Sequence, residues 1–151
     1  MEVGASRLFL SVEMFIHRRY IGIIDGEKMR MKEQNMTHSM QLTPSPFQMI
    51  KEGTKTIELR LFDEKRRKIQ IGDIIEFSNT ETGEKIGAKV SAQYVFDSFE
   101  SLYKELSLLE CGYTEADIET ASPDDMNVYY SKDNQQKYGV VGIRIALLCG
   151  T

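Results

Sequence analysis

The feature that most constrains this chain is a long β-hairpin in its middle. Ile74 to Phe77 and Ile86 to Phe96 are rich in β-branched and aromatic residues, and Thr80-Glu81-Thr82-Gly83 between them supplies turn chemistry. A hairpin is barely stable alone and needs more sheet or a helix against its apolar face. The chain offers both. Thr54 to Phe62 (TKTIELRLF) alternates with period two, with Ile57, Leu59 and Leu61 on one face and Thr56, Glu58 and Arg60 on the other. His38 to Leu42 is a short extended segment, and GVVGIRIALL from Gly139 to Leu148 reads as a last, mostly buried strand.

Helices are marked by their ends. Pro44-Ser45-Pro46 opens one whose apolar face is Phe47, Met49 and Ile50, and Gly53 suits the left-handed position after its carboxyl end. A charged loop, Asp63 to Lys68, leads to Ile69-Gln70-Ile71 and a turn at Gly72-Asp73. In the acidic region, Asp97-x-x-Glu100 resembles a capping box. The stripe Phe99, Leu102, Tyr103, Leu106 and Leu109 predicts a helix stopping at Gly112. A second short helix is expected from Thr114. Ser122-Pro123-Asp124-Asp125 opens another, with Met126, Tyr129 and Tyr130 on its buried side. The expected architecture is α+β: a small barrel or strongly curled sheet with helices at its ends, and Asp97 to Tyr138 as an excursion between the last two strands.

Composition sets the class of partner. The chain has 151 residues, 41% hydrophobic, with 19 Lys plus Arg against 23 Asp plus Glu, the balance of a globular domain with a real core. Residues 51–68 hold seven basic residues and four acidic; residues 97–125 hold nine acidic and one basic. One face could attract phosphates while another repels them, but a formal charge of −4 argues against tight, non-specific nucleic-acid binding. Cys111 and Cys149 are far apart with only His17 and His38 to help them, so reduced intracellular thiols are expected and a zinc site is not. No cofactor is implied.

Residues 1–36 read as an amino-terminal extension and 37–151 as the domain. Leu8 to Ile24 is broken by Glu13, His17, Arg18 and Arg19, too polar for a membrane span and in the wrong order for a signal peptide, which leaves a cytoplasmic location as the expectation. Gly26-Glu27-Lys28 must be encoded by a purine-rich run like a bacterial ribosome-binding site, just before Met29, Met31 and Met36. Natural translation is therefore expected to start at one of these methionines. The rival expectation is an amphipathic helix docked on the domain.

Chemistry concentrates at the junction of the first helix and the alternating strand. Glu58 and Arg60 point the same way, while Lys55 has the opposite parity and joins them only if regular strand geometry begins after it or a bulge intervenes. Arg60 offers a planar fork for a phosphate or base edge, Lys55 a mobile charge, and Glu58 orients them or accepts a proton. The bland alternative is an ion-paired strand face. Lys65 and Arg66, in the run Lys65-Arg66-Arg67-Lys68, are candidates to steer a phosphate backbone. Ser131 is either a helix cap or a ligand-facing hydroxyl, Tyr129 and Tyr130 are core or stacking residues, and His38 reads as surface.

GTKTIELR also fits the G-x-K-x-x-E-x-R pattern of the ASCH domain family, a branch of the PUA-like superfamily. The resemblance continues through LFDEKRRKIQIGDIIEF, the acidic insert and YYSKDNQQKYGVVGIRI, covering His38 to Ala146. It implies a PUA-like small curled β-barrel with flanking helices, a cleft beside the motif, and RNA or nucleotide as partner. Members differ in activity. Some resemble plain RNA-binding modules, some cleave RNA, and a bacterial branch hydrolyses 4-acetylcytidine with a lysine that activates a threonine three residues on. Here Glu58 stands at that threonine's position, and Thr56 has the wrong spacing. The resemblance also sets the YYS region near the lysine motif, with Ser131 facing Lys55 as a phosphate or substrate contact. Two functions follow as expectations. The first is recognition of a single-stranded segment or one base in a cleft lined by Lys55, Glu58, Arg60, Lys65, Arg66, Tyr130 and Ser131. The second is metal-independent hydrolysis through Lys55, Glu58 and Ser131.

Overall fold

The hairpin forms the middle of the sheet. A computed structural model describes residues 20–25 and 28–149, with side chains from residue 34 onward. In chain order the elements are β1 (Tyr20–Asp25), β2 (Lys28–Glu33), β3 (Thr37–Leu42), α1 (Pro44–Glu52), β4 (Ile57–Leu61), α2 (Glu64–Arg67), β5 (Ile74–Asn79), β6 (Lys85–Phe96), α3 (Phe99–Glu105), α4 (Lys132–Tyr138) and β7 (Val140–Leu147). Two 3-10 turns, Ile118–Thr120 and Pro123–Val128, lie between α3 and α4. No described helix is long and apolar enough to cross a membrane.

Strands β3-β5-β6-β7-β4 make one five-stranded sheet in that spatial order, and β1 pairs with β2 apart from it. The excursion between β6 and β7 falls where expected. Strand β3 lies parallel to β5, with α1, β4 and α2 between them in sequence. All other neighbours are antiparallel. The rival expectation of an amphipathic helix in the amino-terminal segment does not hold over Tyr20–Asp25, which is a strand. Residues 1–19, with His17, and residues 26–27 lie outside the described residues.

Both faces of the sheet are buried. One core cluster joins Met40, Leu42, Ile75, Phe77, Val90, Val95, Val141, Ile143 and Ile145 to Phe47 and Ile50 of α1. The other joins Ile57, Leu59, Leu61, Phe96 and Val140 to Phe99 and Leu102 of α3 and to Cys111. Each fully buried Phe or Ile contributes roughly 1.5–3 kcal/mol. The α3 layer sits close to the sheet at Gly142, where a Cβ would stand 2.8 Å from Leu106 Cδ1 and 3.1 Å from Ile57 Cγ2. Glycine there admits Leu106. A bulge between Val90 and Ala92 interrupts the β6–β7 register and adds curl to the sheet.

Helix α1 ends at Gly53 as expected, its N–H bonded to the carbonyls of Ile50 and Met49. The expected loop from Asp63 to Lys68 is instead a single helical turn, capped by Asp63. The long acidic helix is shorter than its stripe. Ser98, not Asp97, caps α3, and Leu106 turns extended to reach Gly142, leaving Leu109 exposed. The helix expected from Thr114 is a 3-10 turn starting at Ile118. Ser122 and Asp125 do form a capping box, with Pro123 in the first turn.

Candidate functional site

Regular pairing of β4 begins only at Ile57, after two backbone acceptors that each take a pair of N–H groups. The N–H groups of Thr54 and Lys55 both donate to the Met49 carbonyl, and those of Thr56 and Ile57 both donate to the Glu110 carbonyl. This irregular entry lets Lys55 turn to the side of Glu58 and Arg60. On that side the strand faces the first core cluster, because Glu58 stands opposite Ile143 and Arg60 opposite Val141.

The Glu58 carboxylate is shared between two cations. Its Oε1 lies 3.2 Å from Lys55 Nζ, and its Oε2 accepts from Arg60 Nε at 2.7 Å. Lys55 also donates to the Cys111 carbonyl at 2.8 Å, and Arg60 Nη2 donates to the Gln41 carbonyl at 2.9 Å. Glu58 is 4% exposed and Lys55 8%. Burial opposes the charge on Glu58, but Lys55 and Arg60 together outweigh it and hold the carboxyl below its ordinary value. Burial likewise opposes the charge on Arg60, and Glu58 more than restores it. Lys55 passes under Gly112, whose φ of +115° suits glycine and where a Cβ would lie 3.2 Å from Nζ. Burial pushes the neighbouring Cys111 thiol up to about 11, so it stays protonated.

Above this floor opens a cavity of about 530 Å³, lined by Lys55, Glu58 and Arg60, by Thr43, Ser45, Pro46 and Met49 beside α1, and by residues of the excursion. That size lies within the roughly 300–1,000 Å³ of small-molecule sites. Four tyrosines, Tyr103, Tyr113, Tyr129 and Tyr130, dominate the far wall. Tyr130 stacks on Phe99 at 6.1 Å between ring centroids, so it is half core, whereas Tyr129 is 70% exposed at the rim. The Tyr103 and Tyr113 hydroxyls meet at 2.8 Å, and Tyr113 donates to Asp125 Oδ2 at 2.6 Å. Among the described residues, no three His, Cys, Asp or Glu side chains gather as a metal ion needs.

Of the residues singled out from the sequence, Lys55, Glu58, Arg60, Tyr129 and Tyr130 come together around this cavity. Ser131 does not line it: its hydroxyl accepts from the Asn134 N–H and caps α4. Lys65 and Arg66 also lie outside the lining. Arg66 is bound to Asp63 at 3.1 Å, while Arg67 covers the Phe62 ring at 4.2 Å. Thr56 is turned to the Glu110 carboxylate, which Arg144 also holds at 2.7 Å. His38 bonds Asp73, a buried carboxylate that also accepts from the Met36 and Gln70 N–H groups. It belongs to the framework. Tyr103, Tyr113 and Asp125 were missed. The only sequence signal for them was a concentration of tyrosines and acids in the excursion.

A family model for the ASCH domain matches residues 40–148. This chain belongs to the ASCH domain family. The ASCH domain is similar to the solved structure of hypothetical protein PH0355, with 33% identity and a TM-score of 0.63 over 75% of this chain and 100% of that one. It is similar also to protein PF0455 from Pyrococcus furiosus, with 33% identity and a TM-score of 0.60 over 75% and 98%. An ASCH protein from Zymomonas mobilis shares the fold at 15% identity, with a TM-score of 0.51 over 73% of this chain and 66% of that one. No curated protein matches. The curled five-stranded half-barrel with flanking helices is accordingly the α+β, PUA-like fold of the family.

Proposed function

We propose that this ASCH domain binds RNA by taking one nucleotide of a single-stranded segment into the cavity, its base against the tyrosine wall and an oxygen of its carbonyl or phosphate on the floor. The observation that carries this is the charge and donor count of the floor. Lys55 and Arg60 share one carboxylate, which leaves one positive charge. Of the five N–H groups of Arg60 and the three of Lys55, two on each are used by protein acceptors. The rest have no acceptor of their own among the described residues, and both side chains line the cavity. A planar guanidinium already fixed by Glu58 and Gln41 loses little freedom on binding an oxyanion or base edge, which favours a defined pose.

The surroundings argue for a local contact rather than general attraction to polyanions. Asp117 and Asp125 lie on the cavity wall, the chain is net −4, Arg66 pairs with Asp63, and Arg67 lies over Phe62 and donates to the Tyr138 carbonyl. Binding therefore involves few phosphates and depends weakly on salt, at about −0.7 in log K against log salt for each single-strand phosphate neutralised. Hydrolysis of RNA, or of a modified nucleoside such as 4-acetylcytidine, needs a nucleophile. The hydroxyls nearest the motif in sequence and in resemblance, Thr56 and Ser131, are engaged with Glu110 and Asn134 outside the cavity. Those contacts set aside the two hydroxyls that the motif and the resemblance point to, which leaves Thr43 and Ser45 of the cavity lining as the hydroxyls a hydrolytic reading would need.

Titration of RNA oligonucleotides at several salt concentrations, with products analysed in parallel by mass spectrometry, tests both readings. Arg60→Ala should weaken binding by about 1–3 kcal/mol, and Arg60→Lys should not restore it. Unchanged affinity in both variants removes the floor from the site. Accumulation of cleaved or deacylated product that disappears in Lys55→Ala would replace binding with hydrolysis.

A further inference from the structure

One hydrogen-bond chain in the cavity wall determines what that wall offers a ligand. Tyr113 donates to Asp125 Oδ2, which also accepts from the Ser122 backbone N–H. The Tyr113 hydroxyl, then the Ser122 N–H, hold Asp125 below the ordinary carboxyl value, so it has no proton to give. A phenol has a single hydrogen, and that of Tyr113 is spent on Asp125. At the contact between the two hydroxyls, the donor must then be Tyr103. Both hydrogens are consumed inside the chain, and both oxygens have only lone pairs left for the cavity. The Asp117 carboxylate on the same wall adds acceptors. The floor, by contrast, holds the unused N–H groups of Lys55 and Arg60.

The cavity is therefore polarised, with acceptors on its wall and donors on its floor. From this we infer that the site selects a nucleobase bearing an exocyclic amino group over its keto counterpart, with the Tyr103–Tyr113–Asp125 chain as the element that reads the amino hydrogens. The inference rests on the nucleotide-binding reading above and adds to it which bases are accepted. A keto oxygen in that place would set lone pairs against lone pairs and leave polar groups unpaired in a partly desolvated site, the kind of mismatch that discriminates strongly.

Two pairs of nucleotides exchange an exocyclic amino group for a keto oxygen, and the adjacent ring acceptor for an N–H, with little change in shape: CMP against UMP, and AMP against IMP. Equilibrium titration of the full chain should give the amino member of each pair about tenfold tighter binding. Tyr113→Phe deletes the acceptor that occupies the Tyr103 hydrogen and frees that hydrogen to face the ligand. In that variant UMP and IMP should bind more tightly than to the unmodified protein, and the amino-to-keto ratio should fall toward one. A purely structural role for Tyr113 would weaken all four nucleotides together. Tyr103→Phe gives a second check, since removing its lone pairs should weaken CMP and AMP and should not weaken UMP or IMP. Equal or reversed preference in the unmodified protein overturns the inference alone. So does a uniform loss in Tyr113→Phe. Failure to bind any of the four overturns the nucleotide reading along with it.

Discussion

The floor and the wall of the cavity are built in opposite ways. The floor comes from six consecutive residues, Lys55 to Arg60, on or just before a strand paired to β7 and buried on both faces. Its charges are held by short contacts that packing cannot easily relax. The wall comes from Tyr103 to Tyr130, a stretch of short helix, turns and 3-10 segments in which each tyrosine keeps part of its surface in solvent. There the ordering is done by side chains: Gln135 Nε2 donates to the Tyr130 carbonyl and to Asn127, and Asp117 and Asp125 hold turns. Substitutions in the floor should thus be felt first as lost stability, and those in the wall first as lost binding.

The largest expected effect tests the floor. Glu58→Ala leaves Lys55 and Arg60 buried without their common carboxylate and should cost about 3–5 kcal/mol in urea unfolding. A loss below about 1 kcal/mol would mean that water already screens the pair, and floor and wall would no longer differ in kind. On the wall, Tyr129→Ala removes an exposed ring. Stability should stay within about 0.5 kcal/mol of the original, while oligonucleotide affinity falls by about 1–3 kcal/mol if the ring stacks on a base. Unfolding and binding measured on one preparation separate the two quantities. Ser131→Ala, just beyond the wall, should lower stability by about 1 kcal/mol through loss of the α4 cap and leave nucleotide affinity unchanged. Weaker binding in that variant would return Ser131 to the site.

The smallest effect concerns pH. The folded protein holds the Glu58 carboxyl below its ordinary value of 4.5, so its ionised form adds stability that is complete above that value and is lost as pH falls through the lower folded value. Glu58→Gln should flatten this part of the acid limb while leaving the profile above pH 6 parallel to the original. An unchanged acid limb in chemical unfolding at a series of pH values would assign the loss to other carboxylates.

The same contrast explains what was legible in the sequence. Lys55, Glu58 and Arg60 are close in sequence, and the period-two alternation of β4 announces that they are close in space. The central hairpin and the excursion before β7 were equally plain, because turn and cap residues act locally. That neither face of β4 meets solvent was not legible, since burial of the polar face depends on α1 and β3 arriving from elsewhere. The parallel pairing of β3 with β5 is a long-range choice with no local mark. In the excursion, the stripe from Phe99 to Leu109 overstated α3 because Leu106 gains more by leaving the helix for the space over Gly142. The Tyr103–Tyr113–Asp125 chain joins helix α3, a loop and a 3-10 turn, and no spacing rule connects them.

The bulge in β6 acts as a frameshift within one strand. Before it, the even-numbered Ile86, Ala88 and Val90 belong to the core cluster on the concave side; after it, the odd-numbered Val95 does, and Phe96 joins the opposite cluster. Twelve residues thus carry two alternation patterns of opposite phase, spliced near Ser91, and a periodicity measured along the whole strand averages toward nothing. Removing Ser91 would give a single phase with Val95 and Phe96 on the sides they already occupy. Drawing all twelve residues into one regular ladder would instead exchange inside for outside over half the strand, sending Phe96 into the first core cluster and Val95 against α3. The hydrophobic content of the strand would be untouched, yet its message to the two cores would be inverted.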